Sequence, residues 1–298
     1  MAGTDTEPTL PLVVVPAPVR WTVRRAAARL VRFAWLELAS CVFPIALFVG
    51  LAAAAYIPLP MPRYDALLIY VVGLTVLLWV LRLESGREVA VIFGFHLLGL
   101  ALELYKVRVG SWAYPWDAWS MVGGVPLYAG FMYAAVGSYL CQAWRRFDLR
   151  VSGYRTASVT VIAVAIYVNF FTHHHAPDLR WLLAVALLVA LRGTWVHFTV
   201  GPERLRMPLA LSFVLIGGFL WLAENMGTFL GAWRYPDQAE VWTVVHAGKF
   251  GSWALLVSLS FALVASVKST EGLLYGTRGD RASVAVSKNR LLGAGRPH

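Results

Sequence analysis

The chain has 298 residues, 59% of them hydrophobic and 14% charged, with a mean hydropathy of +0.63. Soluble domains carry roughly a quarter charged residues, so this composition excludes a water-soluble globule and indicates a multi-pass membrane protein. The formal net charge of +10 would suit nucleic acid, but the basic residues are spread over short loops without an aromatic-basic face. That pattern excludes a nucleic-acid partner and leaves membrane lipids.

Residues 1–19 are rich in Pro and Thr, lack a period and read as a disordered tail. Residues 20–32 hold Arg20, Arg24, Arg25, Arg29 and Arg32 and read as a basic cytoplasmic anchor. The apolar run after them outlasts a signal-peptide core of roughly 7–15 residues, so it is taken as the first span. Runs long enough to cross a bilayer recur near 33–55, 66–82, 88–106, 122–142, 156–172, 179–198, 208–227 and 241–267. The predicted fold class is therefore all-α, a polytopic membrane helix bundle of about eight transmembrane helices. Nineteen Lys and Arg fall on one side of these spans and five on the other. The positive-inside rule makes the richer side cytoplasmic, with both termini there and the protein in the cell (plasma) membrane. Residues 143–155 form a cytoplasmic linker, and 268–298 a basic cytoplasmic tail. Cys41 and Cys141 both lie in apolar runs and make neither a disulfide framework nor a zinc pattern.

An internal repeat orders these spans. Glu103, Gly110, Trp112, Tyr114 and Pro115 recur 121 positions later as Glu224, Gly231, Trp233, Tyr235 and Pro236. Each copy closes a span, and the two spans lie four apart, which keeps their orientation. The predicted architecture is two parallel four-helix repeats, 33–142 and 156–267, with both motifs on the outer side. Gly and Pro in the motif stop a helix. Trp112, Trp233, Tyr114 and Tyr235 suit the headgroup level or the lining of a site.

Charges inside spans are costly and usually functional. His96, Gly99, Glu103 and Lys106 share one helical stripe, and so do Gly217, Trp221, Glu224 and Thr228. Glu224 has no charged neighbour on its own helix, so His246 and Lys249 of the last span are its expected partners. Glu103, Lys106, Glu224, His246 and Lys249 are expected to form one polar cluster. Glu103, Glu224 and His246 are the candidate catalytic groups. Lys106, Lys249, Tyr114, Tyr235, Trp112, Trp233, His96 and Asn225 are the candidate binding groups. His173, His174 and His175 are weak metal candidates, because adjacent histidines point in different directions. Glu37 and Arg192 are further intramembrane charges without an evident partner, and His197 stands apart near the cytoplasmic end of its span. Small residues Gly130, Ala134, Gly137 and Ser138 allow close helix approach. Phosphate loops, dinucleotide fingerprints and nucleophile elbows are absent from the sequence, which names no cofactor.

Several strings together resemble the bacterial multi-pass membrane family known as domain of unknown function 817. They are Glu103-Leu-Tyr-Lys106, Gly110-Ser-Trp-Ala-Tyr-Pro115, Gly124-Val-Pro-Leu-Tyr128, Glu224-Asn225, Gly231-Ala-Trp-Arg-Tyr-Pro236 and His246-Ala-Gly-Lys249-Phe-Gly-Ser-Trp253. The resemblance spans about residues 30–270 and implies a bacterial inner-membrane protein with no assigned activity. A weaker likeness, over Glu103 to Leu127, is to membrane carotenoid hydratases and lycopene cyclases, and implies carboxylate chemistry on a polyene. Lys106, Arg108 and Pro115 depart from that pattern. The reading reached is an intramembrane enzyme that acts on a lipid or isoprenoid by acid/base chemistry. A transporter or channel, and a structural or assembly factor, are the alternatives.

Overall fold

The computed structural model describes residues 23–275 except 173, 174 and 176. The expected tail at 1–19, the start of the basic anchor and the end of the C-terminal tail lie outside the described residues. So do two of the three clustered histidines.

The described chain is an all-α membrane bundle with a small sheet at one end. Its long helices are α1 (Val23–Ser40), α2 (Val42–Tyr56), α3 (Arg63–Val80), α4 (Gly86–Arg108), α5 (Gly130–Arg146), α6 (Thr156–Thr172), α7 (Arg180–Ala190), α8 (Leu209–Phe229) and α9 (Gly248–Thr270). In a membrane each backbone amide needs an internal partner, and an apolar run meets that need as a helix. α3, α4, α8 and α9 are long and apolar enough to cross a membrane. The α1–α2 pair adds a fifth candidate span, broken by a 64° bend. α6 and α7 are apolar but shorter.

The structure corrects several expected boundaries. The run at 33–55 is two helices, because the chain bends at Cys41. The helix expected over 122–142 begins only at Gly130, after a hairpin of β1 (Met121–Val122) and β2 (Val125–Pro126). The helix expected over 241–267 begins at Gly248. The largest departure is at 179–198, where the helix ends at Ala190 and Trp195–Val200 is a strand, β4. β4 pairs antiparallel with both β3 (Arg150–Ser152) and β5 (Glu203–Pro208). The cause is local. Gly193 takes a left-handed φ of 77° past the helix, and Gly201 takes 65° in the hairpin turn. Between them β-branched and aromatic residues alternate in burial, and Val196, Phe198 and Val200 are buried. Phe198 and Val200 join Phe33, Leu36 and Phe147 in a small separate core.

α2 packs on α3 and α5, and α4 packs on α5. In the second half α6 packs on α7 and α9, and α8 packs on α9. The order of contacts is the same in both halves, and α5 meets α9 between them.

Candidate functional site

The two motif loops meet at one end of the bundle. Each begins where its helix stops in a paired hydrogen-bond turn. Ser111 N donates to Lys106 O and Gly110 N to Val107 O, while Ala232 N donates to Gly227 O and Gly231 N to Thr228 O. Gly110 and Gly231 take the left-handed conformation that such a stop needs, at φ 71° and 66°. The chain then extends, so alternate side chains face the same way. In the first loop Trp112 and Tyr114 turn back onto α4. Ala113 lies between them and forms an antiparallel bridge with Arg234. Its two hydrogen bonds are Ala113 N to Arg234 O, 3.0 Å, and Arg234 N to Ala113 O, 2.9 Å.

This geometry closes a cage around Glu103, which is 3% exposed. Trp112 Nε1 and Tyr114 OH each donate to Oε2 at 2.7 Å, and Tyr133 OH of α5 donates to Oε1 at 2.6 Å. Glu224, 4% exposed, accepts from the Tyr235 hydroxyl and, at 2.7 Å, from Trp253 Nε1 of α9. Hydrogen bonds to a charged group contribute about 1.5–3 kcal/mol each, so neutral donors can hold a buried carboxylate. The cages touch, since Trp112 meets Tyr235 edge to face with ring centroids 6.0 Å apart. Lys249 Nζ lies over the join, 4.3 Å from the Tyr235 ring centre and 5.6 Å from that of Trp112. Burial and the neighbouring carboxylate both hold the Tyr114 and Tyr235 hydroxyls protonated.

Other groups fix the second loop. Tyr64 OH and Tyr128 OH both donate to Ala232 O at 3.1 Å, and Arg63 donates to the carbonyls just past the end of α8, 2.7 Å to Leu230 O. That places a cation at the negative end of the helix dipole. Asn225 accepts from Val245 N at 2.9 Å and so clamps the chain that leads to α9.

The expected five-residue cluster is realised in part. Glu103, Glu224 and Lys249 converge. Lys106 turns away and donates to Phe170 O at 2.6 Å, because its side chain leaves α4 toward the end of α6. His246 is exposed and its Nδ1 accepts from Gly248 N at 3.0 Å. It precedes α9, so it does not share a helical face with Lys249. Trp233 is not among the donors to Glu224; it bonds to Tyr235 instead, and its ring fills the space beside Gly227. His96 lies against Phe131 with centroids 4.2 Å apart, away from the carboxylates. His175 is exposed, and no group able to hold a metal ion occurs among the described residues. Glu37 has a partner after all, accepting from Tyr139 OH at 3.1 Å. Arg192 is exposed beyond the end of α7, and His197 sits on β4, 2.9 Å from Ser152 Oγ.

Two further features escape sequence reading. A narrow crevice of about 20 Å³, room for about one water-sized group, lies beside the carboxylate cages, lined by Phe95, Leu98, Tyr133, Leu220, Trp253 and Leu256 among others. At the opposite end of the bundle Glu84, Glu88 and Lys268 are buried. Ser138 Oγ donates to Glu84 at 2.6 Å, Arg145 pairs with Glu88 at 3.3 Å, and Lys268 pairs with Glu271 at 3.0 Å. Burial raises the Glu84 carboxyl above its ordinary range, against the hydrogen bonds of Gln142 and Ser138.

Comparison with known proteins bears on the family alone. The chain is 51% identical over 251 residues to "Uncharacterized protein YoaT" of Bacillus subtilis (strain 168), covering 83% of this chain and 94% of that one. No solved structure matches it. These findings do not extend to the likeness with carotenoid enzymes. The family described as "Protein of unknown function (DUF817)" matches residues 29–261, and the chain belongs to it.

Proposed function

We propose that the protein is an intramembrane enzyme that moves a proton on a lipid or isoprenoid held between its two halves, with Glu103 and Glu224 as the acid/base pair. One observation carries this reading. Two residues that line the crevice, Tyr133 and Trp253, are bonded to Glu103 and Glu224 through their OH and Nε1. An apolar chain that parts the walls of this crevice would meet a phenol backed by a carboxylate. Tyr133 takes a substrate proton as it hands its own to Glu103, and the relay run in reverse, Glu103 to Tyr133 to substrate, returns that proton at another carbon; where the return comes from the second carboxyl, Glu224 must enter the cycle in its acid form and regain its proton from Glu103. Lys249 steadies the charge that develops between them.

The reading includes eight spans in two parallel four-helix repeats, in the plasma membrane, with both termini cytoplasmic. Matching helix stops, the bridge between residues 121 apart and the shared order of helix packing support the repeat. The uneven spread of Lys and Arg supports the orientation. The test is lipid and pigment profiling of a deletion strain. One precursor should accumulate, and Glu103→Gln, Glu224→Gln and Tyr133→Phe should each fail to clear it. Full complementation by the double Gln variant refutes the catalytic role. A transporter is the second reading, favoured by buried carboxylates at both ends of the bundle. Solute flux in proteoliposomes, with an unchanged lipid profile, would select it.

A further inference from the structure

We propose that the exposed face of the three-stranded sheet binds the headgroups of anionic phospholipids in the membrane leaflet beside it. The two faces of the sheet differ sharply. Val196, Phe198 and Val200 are buried on the inner face, where their partners on β5 are Met207, Leu205 and Glu203. Trp195, His197 and Thr199 turn the other way, opposite Pro208, Arg206 and Arg204. Arg150 and Ser152 of β3 stand opposite His197 and Trp195 on that same face. Arg150, His197 and Arg206 thus make one row across three strands, an arrangement that costs stability when like charges stand side by side.

The positive excess holds when the nearby acids are counted. Arg150 is paired with Asp148 at 2.9 Å, and Glu203, on the inner face, is paired with Arg29. Arg204 and Arg206 are exposed and have no ion pair among the described residues. The charges that act on the His197 ring are those of the same two arginines. The chain's own C-terminal tail is a poor source of the missing acid, since it carries Arg278, Arg281, Lys288, Arg290 and Arg296 against Asp280.

Depth selects the partner. The β4–β5 hairpin leads directly into α8, a candidate span whose Leu211 and Leu215 are exposed. Trp195 and Pro208 therefore stand at the base of the hairpin, and the turn at Gly201 is its tip. A strand rises about 3.3 Å per residue, so His197 and Arg206 lie roughly 7 Å from the base, and Thr199 and Arg204 roughly 13 Å. The headgroup layer on each side of a bilayer is about 5–8 Å thick. Trp195 then sits at the edge of the acyl chains, as interfacial tryptophans do, with the Arg206 guanidinium 4.8 Å over its ring. Arg206 meets the phosphates together with Ser152 and His197, which are bonded at 2.9 Å. Arg204 attracts them from the outer edge of the layer. Guanidinium, hydroxyl and imidazole N–H are donors that suit a phosphodiester anion. A zwitterionic headgroup brings its own cation to the same place and gains less. The site rests on the membrane reading of the helices, not on the catalytic one.

The test uses the full-length protein, isotope-labelled at histidine, in nanodiscs of phosphatidylcholine with and without phosphatidylglycerol, and follows ring protonation by NMR. His246, exposed at the other end of the bundle, reports the general effect of surface charge. Phosphatidylglycerol should raise the His197 midpoint by at least about half a pH unit more than that of His246, because an anion against the ring favours its charged form. In Arg204→Gln/Arg206→Gln the two rises should become equal. Arg204→Lys/Arg206→Lys keeps both charges and should keep most of the difference. Equal rises in the unaltered protein overturn the proposal, as does a difference that survives the Gln variant or vanishes from the Lys variant. Polyglutamate added to phosphatidylcholine nanodiscs supplies the last comparison. If it raises the His197 midpoint where phosphatidylglycerol does not, the face belongs to an acidic soluble partner and the proposal falls.

Discussion

Removing the Glu103 carboxylate tests the cage directly. Glu103→Ala strands three buried donors, Trp112 Nε1, Tyr114 OH and Tyr133 OH. An unsatisfied buried donor costs about 1–3 kcal/mol, so the variant should lose roughly 3–9 kcal/mol, less the relief of no longer burying a charge. A net loss of about 4 kcal/mol is expected. Glu103→Gln differs in kind. Its carbonyl still accepts from Trp112 and Tyr114, and its amide donates to the Tyr133 oxygen, which accepts as readily as it donates. Only the charge assistance goes, about 1 kcal/mol for each of the three bonds, and the relief of no longer burying a charge offsets part of it, so the loss should stay under about 2 kcal/mol. Glu224→Ala strands two donors and should fall between the other variants. The assay is equilibrium unfolding of the purified protein in mixed micelles, followed by far-UV circular dichroism. Equal losses for Glu103→Ala and Glu103→Gln would refute the argument, since the donors could not then be aimed at the carboxylate.

The bridge predicts that Ala113→Cys with Arg234→Cys forms a disulfide on mild oxidation, in a chain lacking Cys41 and Cys141; no cross-link would mean that the loops do not meet. Gly110→Ala and Gly231→Ala should each cost about 1–2 kcal/mol in the same unfolding assay, because both glycines have positive φ and no neighbouring atom within 3.4 Å of an added Cβ. Markedly unequal losses would undo the equivalence of the two helix stops. The His197 ring is held below its ordinary pKa by burial and by Arg204 and Arg206. Its neutral form is therefore favoured by folding, and the stability it contributes at neutral pH is lost as pH falls through the folded-state value. Arg204→Gln/Arg206→Gln should raise the His197 midpoint seen by NMR, and an unmoved midpoint would assign the shift to burial alone. Cysteines placed at 117 and 237 should label from outside the cell, whereas labelling only from the cytoplasm would invert the proposed orientation.

The carboxylates and their loops were legible because the signal is local. A Glu near a helix end, a Gly seven residues later and two aromatic residues on one face of an extended segment fix Glu103, Trp112 and Tyr114 together. Tyr133 and Trp253 come from helices further along the chain, and no spacing announces them. A faint trace existed in Gly99, one turn before Glu103, where the Tyr133 ring occupies the space of a missing side chain. His246 escapes the expected helical face because the apolar run from 241 is not helical at its start, and α9 begins at Gly248. β4 is concealed in the same way: hydropathy alone does not separate a strand from a buried helix, and Gly193 and Gly201 are the better guides.

An antiparallel bridge between residues n and n + 121 is a contact of a special kind. Its own axis is two-fold, so a surface that makes it with an equivalent surface is self-complementary, as in the commonest homodimers. On the proposed repeat, a half-length ancestor would have paired with itself through this contact, with both acid sites identical. Fusion of the copies would free each to change alone. Position 106 is now Lys, reaching for α6, while its counterpart 227 is Gly, where the Trp233 ring rests. One acid kept three donors and the other two. A symmetric pair of acids can only do the same thing twice, whereas an unequal pair can give a proton at one place and take it at another.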